Sequence, residues 1–243
     1  MDSIISTTEA SCIQPAVTPV QLQTEPVPTR RGFLGGLAVA AVAAPAIAAL
    51  TATRSEAQSN FSRDARHVAR DFRDIQRHEN AHVQALLGIL GTNARPKPTF
   101  HNLLQRHYSA FVNTSQALEN TGVGAYLGAA PAIKNPAYLA AAGSVAFIEA
   151  RHAGFLNNYN GARITTNVMG LEQSFETSLS PQQVVTLAGP FIVSLNGGPP
   201  VSYDPNPANR SDANDIAILN FALPLEYLEQ EFYNLNVPRF FRN

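Results

Sequence analysis

Apolar residues recur at helical spacing over four long stretches of the chain: about Arg63 to Leu90, His101 to Leu127, Asn135 to Asn158 and Asp215 to Leu235. Positions i, i+3, i+4 and i+7 are apolar in each, as a helix that buries one face requires. The first stretch stops at Gly91, ahead of the proline-bearing NARPKPTF, and Asn214 or Asp215 can cap the fourth. A short helix is predicted in LSPQQVVTLAG, with Ser180 as its cap and Pro181 at its first position. Residues 194–212, SLNGGPPVSYDPNPANRSD, read as an exposed linker. No stretch alternates as a strand would, so the pattern predicts an all-α bundle.

Projected at ~100° per residue, several acids fall on the apolar faces. Glu79 shares a stripe with Phe72, Ile75, Val83, Leu86 and Leu90, and His82 follows on its flank at i+3. Glu119 lines up with Tyr108, Val112, Val123 and Tyr126. Glu149 lies among Tyr138, Ala142, Val145, Ala153 and Leu156, again with a histidine, His152, at i+3. Glu226, Glu229 and Tyr233 form one stripe of the last helix, and Glu231 points away. His67, His78, His101 and His107 read as surface or boundary residues.

A buried carboxylate needs a partner or takes up a proton. Arg63, Arg66, Arg70, Arg73 and Arg77 mostly line the opposite face of the first helix, so metal cations are the better partner. Glu79, Glu119, Glu149 and Glu226 carry four negative charges, His82 and His152 bind as neutral imidazoles, and two divalent ions bring the sum to zero. Two Glu-x-x-His pairs, ENAH and EARH, with one further Glu from each of two other helices form the ligand set of a dinuclear carboxylate bundle. Glu229, Tyr126 and Tyr233 are expected beside these ligands as hydrogen-bonding neighbours, with Glu229 as an alternative ligand one turn from Glu226. No catalytic residue is singled out.

Only 14% of the residues are charged, and the net charge of −1 comes without a basic stripe, which excludes a nucleic-acid partner. Cys12 is the only cysteine, so neither a disulfide framework nor a thiolate metal site can form. Near the N-terminus, TRRGFLGG precedes an Ala-rich run that ends in TRSEAQ. This resembles a twin-arginine signal peptide, with Arg30, Arg31, Phe33 and Leu34 at the expected places and cleavage after Ala57. Residues 1–57 are then an extension with its signal, and residues 58–243 one domain. Pro45 and the many alanines argue against a retained membrane anchor. The resemblance implies the twin-arginine export machinery as a partner, a periplasmic or extracellular location, and folding before export.

The segments ILNFALPLEYLEQEFY, HENAHVQALLG, ALENTGVGAYLGAAP and SVAFIEARHAGFL resemble the ferritin-like domain family, which includes exported bacterial members and the plant desiccation-related proteins. The resemblance implies a ferritin-like four-helix bundle with ligands Glu79, His82, Glu119, Glu149, His152 and Glu226 holding two Fe or Mn ions. In the family the LNFAL helix comes first and here it comes last, so the chain looks circularly permuted. GTNARPKPTF is then the long crossover of the bundle, able to span roughly 30 Å when extended. Such a pair of ions reacts with dioxygen or peroxide, with Glu79 and Glu149 each anchoring one ion and Glu119 and Glu226 terminal or bridging. Ferroxidase, catalase-like and substrate-oxidising chemistry all fit. The plant relatives keep a second reading open, a stress protein with no turnover. Assembly into a homo-oligomer is also left open.

Overall fold

The helical stretches close into an all-α bundle in a computed structural model, which describes the backbone of residues 53–242 and the side chains of residues 65–242. The long helices are α1 (Thr53–Leu90), α2 (Tyr108–Ala129) and α3 (Pro136–Tyr159). A short α4 (Pro181–Ala188) follows, and α5 (Asp212–Phe240) ends the chain. The expected signal lies almost wholly outside the described residues, as does Cys12. Among the described residues no helix is long and apolar enough to cross a membrane.

Side-chain contacts fix the directions of the helices. Arg73 on α1 reaches the carbonyl of Phe241, Gln76 and Asn80 meet Asn234, and Asn220 donates to Asn93 O just past the end of α1. Rising numbers on α1 thus meet falling numbers on α5, and the pair is antiparallel. On α2, Glu119 meets Tyr233 and Tyr126 meets Glu226, so α2 also runs against α5. α1 and α2 are therefore parallel, and the chain between them must travel back along the bundle. Buried asparagines of α5 pin this crossover. Asn220 accepts from Arg95 N at 2.8 Å, and Asn236 accepts from Gln105 N at 2.8 Å while donating to Leu103 O. Each supplies a partner to backbone that would otherwise be buried without one.

Three expectations need correction. The second helix begins at Tyr108 rather than His101, because Asn102 takes a left-handed φ of 59° and Asn236 claims the backbone of Leu103 and Gln105. Ser211 caps α5, accepting from Asn214 N. Asp215 instead reaches across to accept from Lys134 N and Asn135 N at 2.7 and 2.8 Å, at the start of α3. A small antiparallel sheet joins β1 (Thr99–Phe100) to β2 (Ile192–Ser194), too short to leave an alternating pattern. The stretch 194–212 is mostly exposed, as expected, yet it is tied down at points: buried Arg95 donates to the carbonyls of Pro199 and Gly197, and buried Tyr203 packs edge-on against Phe221.

α2 and α3 form a hairpin, and α2 carries glycines where other chain comes close. Leu179 N donates to Gly124 O, and a Cβ on Gly128 would stand 2.0 Å from Leu179 O. The segment before α4 thus lies directly on the α2 backbone. Ser180 and Gln183 close a capping box at the start of α4, with Pro181 inside it. At one end of the bundle Phe72, Phe111 and Phe232 are fully buried, each contributing about 2–3 kcal/mol by leaving water.

Candidate metal centre

At the middle of the bundle the four long helices deliver five glutamates and two histidines: Glu79 and His82 from α1, Glu119 from α2, Glu149 and His152 from α3, and Glu226 and Glu229 from α5. All five glutamates are 0% exposed, while His82 and His152 retain 8% and 5%. His82 Nδ1 lies 3.1 Å from Glu79 Oε2, 3.1 Å from Glu149 Oε1 and 3.3 Å from Glu226 Oε2. His152 Nδ1 lies 3.0 Å from Glu119 Oε2 and 3.2 Å from Glu79 Oε1. Two donor groups result, each with its ligand atoms within 4.8 Å of one another: Glu79, Glu119, Glu149 and His152, and Glu79, His82, Glu149 and Glu226. Glu79 and Glu149 belong to both.

The donor set fits a pair of metal ions. One imidazole nitrogen cannot hydrogen-bond three carboxylates from three helices, and only Glu79 is aligned to bond His82. Glu79 Oε1, both oxygens of Glu149 and Glu226 Oε2 are fully buried without a hydrogen-bond donor. Such atoms cost about 1–3 kcal/mol each, more when charged, unless a cation meets them. Ligands bound at about 2.1 Å at right angles are about 3 Å apart, the spacing found here between nitrogen and oxygen. Carboxylate and imidazole are both ordinary ligands of divalent metal ions. The α1 arginines pair elsewhere, Arg70 with Asp71 and Arg77 with Asp74.

Without a metal the cluster must hold protons. Burial pushes the Glu149 carboxyl well above the ordinary range, and the charges of Glu79 and Glu119 push it further. Glu229 is raised well above that range too, by burial and then by Glu226. Burial lowers the His82 imidazole, but the oxygens of Glu226 and Glu79 outweigh it and lift it to about 10. His152 likewise rises to about 10 against its burial, through Glu119 and Glu79. Glu119 is held below its usual range because His152 and its hydrogen-bond donors outweigh burial.

Two tyrosines hold the outer carboxylates. Tyr126 donates a short hydrogen bond to Glu226 Oε1, and Tyr233 donates to Glu119 Oε1 at 2.6 Å. A Cβ on Gly122 would sit 2.8 Å from Glu149 Oε2, so glycine here leaves room for the Glu149 carboxylate against α2, while Glu229 Oε1 at 3.6 Å would be in ordinary contact.

The structure brings together all six residues named from the sequence as ligands. It changes their grouping: Glu79 and Glu149, expected to anchor one ion each, are common to both groups, and Glu119 and Glu226 each belong to one. Glu229 enters the centre with neither oxygen partnered, on the same stripe as Glu226 at i+3. His78 is half-buried at the boundary, yet its Nδ1 lies 2.9 Å from His152 Nε2. Its place on the helical wheel could not show this, because the contact depends on how α3 packs. His67, His101 and His107 are exposed, and Glu231 pairs with Lys97 at the surface.

A four-helix bundle with a carboxylate and imidazole cluster between its helices defines a class, and the sequence comparison agrees with it. A model of the ferritin-like domain family matches residues 40–162, half of the chain, and the chain belongs to that family. No curated protein and no solved structure matches it.

Proposed function

We propose that the protein is a dinuclear Fe or Mn protein that carries out redox chemistry with dioxygen or peroxide in oxidative or desiccation stress. The observation that carries the reading is the sharing of Glu79 and Glu149 between two four-residue donor groups. Glu119 and His152 would complete one metal position, and Glu226 and His82 the other. The ions would supply reversible changes of oxidation state to an oxidant bound beside them. Tyr126 and Tyr233 hold the outer carboxylates by one oxygen, so the second oxygen stays turned inward. Burial of every carboxylate keeps bulk water from competing for the site.

The same reading includes export through the twin-arginine route and a circularly permuted order. Support for the permutation is that α5 packs antiparallel on α1, while the family match ends within the segment after α3 and leaves α5 outside it. Elemental mass spectrometry of the protein folded with Fe and Mn present tests the core of the proposal. Close to two metal ions per chain are expected. Glu79→Gln or Glu149→Gln should lose both, whereas Glu119→Gln or Glu226→Gln should lose mainly one. A well-folded wild-type chain without metal overturns the reading. Peroxide consumption that disappears in Glu149→Ala would then separate an enzyme from a metal-holding stress protein.

A further inference from the structure

His152 presents Nδ1 to the carboxylates and Nε2 to His78. The two imidazole planes are 5° apart with centroids at 5.2 Å. That separation is the 2.9 Å nitrogen to nitrogen distance plus the two centroid-to-nitrogen radii. The nitrogens therefore lie on the line of centres and in both ring planes, the alignment a linear N–H···N hydrogen bond needs.

With a metal on Nδ1 of His152, this geometry would fix the protons. If Nδ1 of His152 binds a metal, its ring proton must sit on Nε2, and a ligating histidine almost always donates that proton to an acceptor. Carboxylates stand nearby: Asp71 and Asp74 line the same cavity of about 230 Å³ with His78, Arg151 and His152. Both, however, are paired, with Arg70 and Arg77. The acceptor in place is His78 Nδ1. His82 differs, because among the described residues its hydrogen bonding is to Glu79 through Nδ1, with no protein partner on Nε2.

Resting on the dinuclear reading above, we propose that His78 is the positioning residue for His152. It accepts the Nε2 proton, sets the Nδ1-ligating tautomer and ring plane, and so tightens one of the two metal positions selectively.

Two measurements test this on the whole chain. In protein labelled with 15N-histidine, a coupling across the hydrogen bond between His152 Nε2 and His78 Nδ1 is expected. Its absence overturns the proposal. Mn(II) binding is then measured by chelator competition in wild type, His78→Ala and His78→Gln. The Ala variant should weaken one of two equivalents by about 10- to 100-fold and leave the other within a few-fold. The Gln variant, whose amide oxygen can accept, should recover most of that loss. Unchanged binding in the Ala variant, or equal weakening in both variants together with lower metal-free melting temperatures, overturns it, the latter because simple packing explains it. A wild type that binds no Mn(II) overturns the dinuclear reading and the role of His78 with it, a result distinct from normal uptake that ignores His78.

Discussion

Tyr233 on α5 donates its hydroxyl proton to Glu119 Oε1 on α2 at 2.6 Å, and the other oxygen of that carboxylate lies 3.0 Å from His152 Nδ1. Tyr126 and Glu226 repeat the arrangement from the opposite helices, with Glu226 Oε2 at 3.3 Å from His82. Each outer carboxylate is thus fastened by one oxygen and aimed by the other, and each tyrosine comes from the helix that faces its glutamate.

Removing one fastening has a definite expected outcome. Tyr233→Phe leaves Glu119 Oε1 buried without its donor, at a cost of about 1–3 kcal/mol to the metal-free fold. The carboxylate also loses its fixed rotamer, so binding at the position it serves should weaken by about 10- to 100-fold. Urea unfolding and chelator competition read the two effects separately. A variant that binds both ions as wild type does would show that Tyr233 is packing alone.

The inward glutamates were legible from sequence because a single helix decides which of its own residues share a face. Glu79, Glu119, Glu149 and Glu226 each sit among apolar neighbours at helical spacing, and all are buried. What depends on two helices was not legible. Asp215 looked like a cap for its own helix but serves Lys134 and Asn135, and His78 looked peripheral but meets His152. The division between shared and outer carboxylates also arises only when four helices close on one another. That a crossover follows the first helix was readable, but its extension to Tyr108 and its anchoring by Asn220 and Asn236 were not, since polar residues on a helix carry no mark of which loop they hold.

Two glycines of α2 should respond in opposite ways to alanine. At Gly122 the added Cβ meets only the tip of a side chain, Glu149 Oε2 at 2.8 Å, while alanine favours the helix by up to about 1 kcal/mol. Gly122→Ala should therefore keep or raise metal-free stability and reduce metal content by displacing that carboxylate. At Gly128 the Cβ meets backbone, Leu179 O at 2.0 Å, which cannot swing aside. Gly128→Ala should cost about 1–3 kcal/mol or more. Thermal melting with elemental analysis checks both, and the reverse ordering of stabilities would refute this account of how α2 is packed.

Metal stabilisation should grow as pH rises. His82 and His152, lifted to about 10, hold protons near neutrality in the metal-free protein, and burial with the charges of Glu79 and Glu119 shifts the Glu149 carboxyl in the same upward direction. A raised folded-state pKa adds stability that is fully present below the unfolded value and is lost as pH climbs through the folded one. The two histidines therefore weaken the metal-free fold as pH goes up from about 6.5, and Glu149 acts in the same direction from its own lower unfolded value. Glu119 is shifted the other way, but its contribution is lost only in acid, below that window. Coordination needs neutral imidazoles and ionised carboxylates, so loading releases these protons and is favoured by their absence from solution. The gap in melting temperature between the Mn(II)-loaded and metal-free protein, measured under nitrogen, should widen steadily from pH 6.5 to 8.5, and proton release from the two imidazoles on loading should stay nearly constant over the same range, since both remain protonated there. A gap that is flat or narrows would mean that the cluster is already ionised before metal arrives. The buried carboxylates would then have to be neutralised by something other than the protons on His82, His152 and Glu149.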